Sequence, residues 1–201
     1  MHYLVVEEGV YTAAADGITM EAVTFNSTVT DARDNWAGEN RSYLNSYTSP
    51  VVLGQVMSTN DPDFSVFWSR GDVRTAPPSA TDLWVGKHVG EDVDTVRADE
   101  TIGYIVIEAG SGSIGDLNYV TAVGDDTIRG IDNDPAYVYD LTGPANAEVA
   151  IATQAGMDGN NGSWAILYGA NPVSDIALNL AAAEDQADDN ERSHTTEQVS
   201  Y

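Results

Sequence analysis

Tyr3-Leu4-Val5-Val6-Glu7-Glu8-Gly9 returns, conservatively altered, as Tyr104-Ile105-Val106-Ile107-Glu108-Ala109-Gly110. Other blocks recur in the same order. Val52-Leu53-Gly54-Gln55 matches Ile151-Ala152-Thr153-Gln154, and Phe64-Ser65-Val66-Phe67-Trp68 matches Trp164-Ala165-Ile166-Leu167-Tyr168. Thr81-Asp82-Leu83-Trp84-Val85 with Glu91-Asp92 matches Ser174-Asp175-Ile176-Ala177-Leu178 with Glu184-Asp185. Glu100-Thr101-Ile102-Gly103-Tyr104 matches Glu197-Gln198-Val199-Ser200-Tyr201. A repeat of about 100 residues, each copy long enough for a modest core, is the feature that most limits what the chain can become.

Each copy reads as β-structure. Ile176, Leu178 and Leu180 alternate with Ala177 and Asn179, the period of a half-buried strand. Short apolar runs such as PVVLGQVM and FSVFW end at DG, DPD, PP, DNDP and DGNNG turn signals. The stretch 177–189 has some helical character, but its first copy carries glycines and β-branched residues, so both are read as strand then loop. The expected fold is all-β: two tandem antiparallel β-sandwich units with strands shared or exchanged at their boundaries. YLVVEEG then closes a unit rather than opening one. Residues 1–9 are expected to be the closing strand of a preceding unit, 10–109 a whole unit, and 110–201 a unit whose closing strand is supplied in part from elsewhere.

Thirty-two acids face eight bases, a formal charge of −24, with no cysteine. That balance repels nucleic acid and anionic membranes and suits salty water or bound cations. No apolar run approaches the roughly 20 residues of a membrane span, and the start shows no secretory leader pattern.

Motifs for chemistry are sparse. Gly110, Gly112 and Gly115 form a GxGxxG after an apolar run, but no helical stripe follows to hold a pyrophosphate, so a flexible strand-to-strand loop is expected. Glu91-Asp92 and Glu184-Asp185 are sequential pairs whose side chains point to opposite faces of a strand, which makes no acid/base couple. His194, two residues before Thr196, is expected as a surface histidine at a strand entry; its place in copy one is held by Arg97. No catalytic constellation is recognised, and no enzyme is expected. Asp61 and Asp63, with Asp158 and Asn160, occupy the same turn in both copies and are candidate calcium ligands; such turns are also good hairpin turns. If Leu83 and Val85 face a core, Trp84 faces outward near His88, a candidate sugar-stacking or interface position. Asn26, Asn40 and Asn161 begin N-glycan acceptor patterns.

Trp36, Pro50-Val51-Val52-Leu53, Asp82-Leu83-Trp84-Val85 and Tyr104-Ile105-Val106-Ile107-Glu108 follow an order that resembles the H-type lectin family. SWAILYG and SHTTEQVSY resemble lectin-like repeats of very long bacterial surface proteins. The resemblance implies small β-sandwiches displayed outside the cell. The family's sugar-site aromatic and histidine fall at Gly90-Glu91 here, so no binding residue carries over. Two functions are expected in competition. One is a structural repeat of an extracellular filament or surface protein, joined head to tail to copies of itself through Tyr3, Leu4, Val5, Val6, Val199 and Tyr201. The other is a carbohydrate-binding adhesin module.

Overall fold

Strand segments alternate with Gly-, Asp- and Pro-rich turns, and the helical content among the described residues is one α-helical turn at Ala13–Asp16, capped by Thr12 and ended by Gly17, and one 3-10 turn at Ile131–Asn133. The structure, a computed structural model, describes residues 2–143 and 146–201. It is all-β and built from several antiparallel sheets. No helix among the described residues is long and apolar enough to cross a membrane.

The first half contains β1 (Gly9–Tyr11), β2 (Met20–Ser27), β3 (Thr30–Asp31), β4 (Glu39–Arg41), β5 (Pro50–Val56), β6 (Val66–Arg70), β7 (Leu83–His88) and β8 (Glu100–Glu108). One sheet has the order β1-β2-β8-β5; in the facing sheet β7 is central, flanked by β6 on one side and by β3 and β4 on the other. Alternation places Ile102, Tyr104 and Val106 of β8 against Val52, Phe67, Leu83 and Val85 in the first core. Lys87, the only lysine of the chain, is also enclosed here. Its Nζ donates to the carbonyls of Ser27 (3.2 Å) and Ala98 (2.6 Å).

The second half contains β9 (Gly110–Ile114), β10 (Leu117–Thr121), β11 (Tyr137–Asp140), β12 (Thr153–Gln154), β13 (Trp164–Leu167), β14 (Ala177–Ala183) and β15 (Val199–Ser200). The strand order β11-β14-β13 matches β4-β7-β6. β15 pairs with β12 on one side and bridges to Val123 on the other, and Glu197 just before it bridges to Ile128, as β8 lies between β5 and β2. Ile128, Leu178, Leu180 and Val199 form the second core.

Residues 110–115 are not the loop expected of a glycine-rich run. They form β9 and turn into β10, five paired positions in register. Small residues admit the Tyr119 ring over Gly112, which a side chain there would displace. A hairpin offers no helix N-terminus, so the dinucleotide fingerprint lacks its essential part.

A third apolar cluster joins the halves. Met20, Val51, Leu53 and Ile107, on the outer face of the first half's sheet, meet Tyr119, Val123 and Ile151 of the second. Consequently the 105–107 stretch of β8 is covered on both faces, as its unbroken apolar run suggests. Polar contacts extend the seam: Gly156 N–H donates to the Ser69 carbonyl (2.7 Å) and Thr153 Oγ1 to the Val52 carbonyl (2.8 Å). Arg74 Nη1 donates to the carbonyls of Asp158 and Gly159, 3.2 Å each.

Candidate functional site

A carboxylate that leaves water must be met by donors, and this chain meets several with backbone amides. Glu100, at the start of β8, accepts from the N–H groups of Asn60 (3.1 Å) and Asp61 (2.8 Å) and from the Ser58 hydroxyl. Burial opposes its ionisation, but these donors hold its pKa below the usual carboxylate range. Glu197, its counterpart before β15, accepts from Asp158 N–H (2.9 Å) and Gly159 N–H (2.9 Å). The repeated glutamate thus closes the same turn in both halves.

Those turns carry the acidic residues read as calcium candidates. Asp61 Oδ2 accepts from Ala98 N–H (2.6 Å) and Oδ1 from Asp63 N–H (3.0 Å), so both oxygens serve the backbone. Asp63 is exposed, and Asn160 Oδ1 accepts from Arg74 Nη1 (3.1 Å). Asp158 is pushed up to about 6 by burial and then by the neighbouring Glu197 and Asp126. Among the described residues no three His, Cys, Asp or Glu side chains converge to hold a metal.

His194 is not the surface histidine expected from its polar sequence context. It is buried, with Nδ1 3.0 Å from Glu184 Oε2 and Nε2 2.7 Å from Glu197 Oε1. Burial works against its charge, yet the two carboxylates win and raise its pKa to about 9. Glu184 points at His194, while Asp185 turns the other way and accepts from Glu91 N–H (2.8 Å). The short spacing of His194 to Glu197 was visible in sequence; Glu184 stood out there only as half of the Glu184-Asp185 pair, with nothing to link it to His194.

Trp84 and His88 share the outer face of β7, but neither is a free platform. Trp84 is half-buried, with the Arg70 guanidinium 4.2 Å above its ring. His88 is fully buried, stacked on Trp36 at 5.2 Å with Trp68 at its edge. Its Nδ1 accepts from Gly90 N–H (2.7 Å), and desolvation pushes its pKa down to about 3. Gly162 of the second half presses on the ring, where a Cβ would collide. Asp31 completes the cluster, accepting from Trp68 Nε1 (2.6 Å) and Gly38 N–H (2.6 Å). Trp36, Trp68 and Asp31 were not foreseen as a group; alternation puts Trp68 on the same outer face as Trp84 and His88, and that was the available clue.

The edge next to Tyr201 is the remaining feature. In the first half, residues 105–107 of β8 lie opposite 20–22 on one side and 51–53 on the other. Tyr201 takes the place of Tyr104: it exchanges two hydrogen bonds of 2.9 and 3.0 Å with Ala122, and its ring lies 5.6 Å from Tyr139. The matching flanks, 119–121 and 149–151, run on past Tyr201, and among the described residues no strand pairs between them. Val120 and Ala150 face the second core there, and Tyr119 and Ile151 face the seam. Val199 is buried and opposite Gln154. Tyr3, Leu4 and Val5 are 75%, 49% and 83% exposed, while Val6 leans on the seam cluster. Residues 2–8 form no strand, and the first paired residue is Gly9. The His2 imidazole Nδ1 lies 3.2–3.3 Å from the backbone N and O of Ala150. No family model, no curated protein and no solved structure matches the chain.

Proposed function

We propose that this protein is a structural repeat unit, the building block of an extracellular filament or long cell-surface chain. Successive pairs of sandwiches join when a Leu-Val-Val-Glu segment enters the edge beyond Tyr201. The observation that supports this reading is the contrast between two copies of one segment: Tyr104, Val106 and Ile107 are buried in β8, whereas Tyr3, Leu4 and Val5 are exposed and residues 2–8 form no strand.

The register of β8 dictates how the segment docks. With Tyr201 holding the place of Tyr104, Leu4 follows it in register, and Val5 corresponds to Val106 and points into the second core between Val120 and Ala150. Leu4 and Val6 correspond to Ile105 and Ile107 and point into the seam. Burying three aliphatic side chains yields roughly 1.5–3 kcal/mol each, against about 1–2 kcal/mol for ordering each residue, so fit decides the outcome. The strand comes from a second copy, or from the same polypeptide where it continues; the chemistry is the same.

Val5→Asp tests the register, because it puts an unpaired charge into the second core while sparing the first half. Sedimentation and electron microscopy of the purified chain are expected to show linear assemblies that Val5→Asp abolishes, and a synthetic Tyr3–Gly9 peptide is expected to cap them. Assemblies unaffected by Val5→Asp, or a chain that stays monomeric at all concentrations and ignores the peptide, would overturn the proposal.

A further inference from the structure

The two halves hold the same corner of the sandwich with different chemistry. In the first half the corner is occupied by Arg97, whose Nη2 is 2.7 Å from Asp92 Oδ2 and whose Nε donates to the Phe64 carbonyl (2.9 Å). A guanidinium stays protonated at every pH a fold survives, so this corner does not titrate. In the second half the corresponding side chain is His194, enclosed between Glu184 and Glu197.

We propose that the Glu184–His194–Glu197 bridge is a titratable latch. Protonated, it holds residues 194–201 against the turn at 157–159 and keeps the edge beside Tyr201 in place; loss of its proton releases that segment. What the latch controls rests on the strand-completion reading above. The latch itself does not.

Geometry supplies the reason. A neutral imidazole has one N–H, so with a carboxylate at each ring nitrogen one of them must face a lone pair. Water cannot compensate where Glu184, His194 and Glu197 side chains are 1%, 3% and 0% exposed. Glu184 Oε1 already lacks a partner. Gly159 lies against the ring so closely that a Cβ would collide, which leaves the imidazole no room to turn away. A cleft of about 330 Å³ lined by Asp158, Asn160, Ser193 and Thr195 lies beside the enclosed bridge, a short route for its proton to reach solvent.

Charged neighbours come from each surrounding element. Asp158 and, behind it, Asp126 add negative charge from the turn and the 122–128 segment. Arg74 of the first half reaches the carbonyls of the same turn, and the Arg192–Asp132 pair sits at the surface. Asn133 adds a neutral contact, accepting from His194 N–H (2.8 Å). The folded-state pKa of about 9 lies above the ordinary histidine value, so the latch contributes fully below about pH 6.5 and is lost as pH rises through 9.

The test is thermal unfolding from about pH 6 to about pH 10, with hydrogen exchange at Val199, Ser200 and Tyr201. Wild type is expected to lose melting temperature and protection at these amides as pH rises. His194→Arg, which copies the first half, should flatten that dependence. His194→Gln should start low and stay flat. Should either variant fail to fold, Glu184→Gln serves instead: removing one carboxylate should move the loss to lower pH. Protection of 199–201 that survives at about pH 10, or a Glu184→Gln profile that overlays wild type, would overturn the latch. Failure of the Tyr3–Gly9 peptide to bind at about pH 7 would instead defeat the strand-completion reading.

Discussion

Glu21, Glu100, Glu108 and Glu197 each end on a pair of backbone N–H groups, those of residues 44–45, 60–61, 48–49 and 158–159. In a chain with 32 acids this turns surplus negative charge into turn closure. Asp31 differs from Glu100, whose pKa is lowered. Its pKa is raised to about 6, first by burial, although Trp68 and Gly38 donate to it. A carboxyl raised above its unfolded value contributes stability at low pH, and that contribution is lost as pH rises through about 6. Asp31→Asn removes that proton uptake. On acidification from about pH 6 to pH 4, wild type should therefore gain about 2–3 kcal/mol relative to the variant, read by denaturant titration of tryptophan fluorescence. A constant difference across that window would refute the assignment. None of these roles was legible in sequence, because a carboxylate that caps a turn sixty residues away looks like any surface acid. Only the recurrence of Glu100 as Glu197 hinted at a shared task.

Among the elements, β8 was the most readable: an unbroken Tyr-Ile-Val-Ile run, repeated in the chain, announces a strand covered on both faces. Its Ile107 lies in the seam and its Val106 in the first core. Ile107→Ala is expected to cost about 2–4 kcal/mol and to weaken the coupling of the halves, seen as a broadened or split melting transition by calorimetry. A sharp single transition with an unchanged midpoint would contradict the packing described. The β9–β10 hairpin was misread as a loop because its stability comes from Tyr119 lying over Gly112, a cross-strand fit that glycine content conceals. The reverse holds for residues 3–6, whose composition suits a strand and which pair with no strand among the described residues.

At the scale of the whole molecule, composition anticipated the electrostatics and said little about geometry. Glu91 of the first half is pushed up by burial and then by Asp189, Asp185 and Glu184 of the second, with Arg33 bridging Glu91 (3.2 Å) and Asp188 (3.0 Å). The halves therefore meet across like charges held by one arginine. Raising ionic strength shortens the Debye length from about 30 Å at 0.01 M to about 8 Å at 0.15 M. The melting temperature is expected to climb over that range, and Arg33→Ala should steepen the climb. A salt-independent melt would mean that the seam's apolar cluster alone decides docking. Sequence could not reveal this arrangement, since Arg74 grips carbonyl oxygens and β6 pairs with the backbone at 155–156, groups that every residue carries. One enclosed side chain also sets how the molecule can be handled. With Lys87 buried between the sheets of the first half, acylating labels and aldehyde fixatives find no lysine amine on the folded surface. The 32 carboxylates offer an alternative route for coupling. Acylation of Lys87 then becomes a clock for the opening of the first half, since the amine is reachable only when that sandwich has come apart.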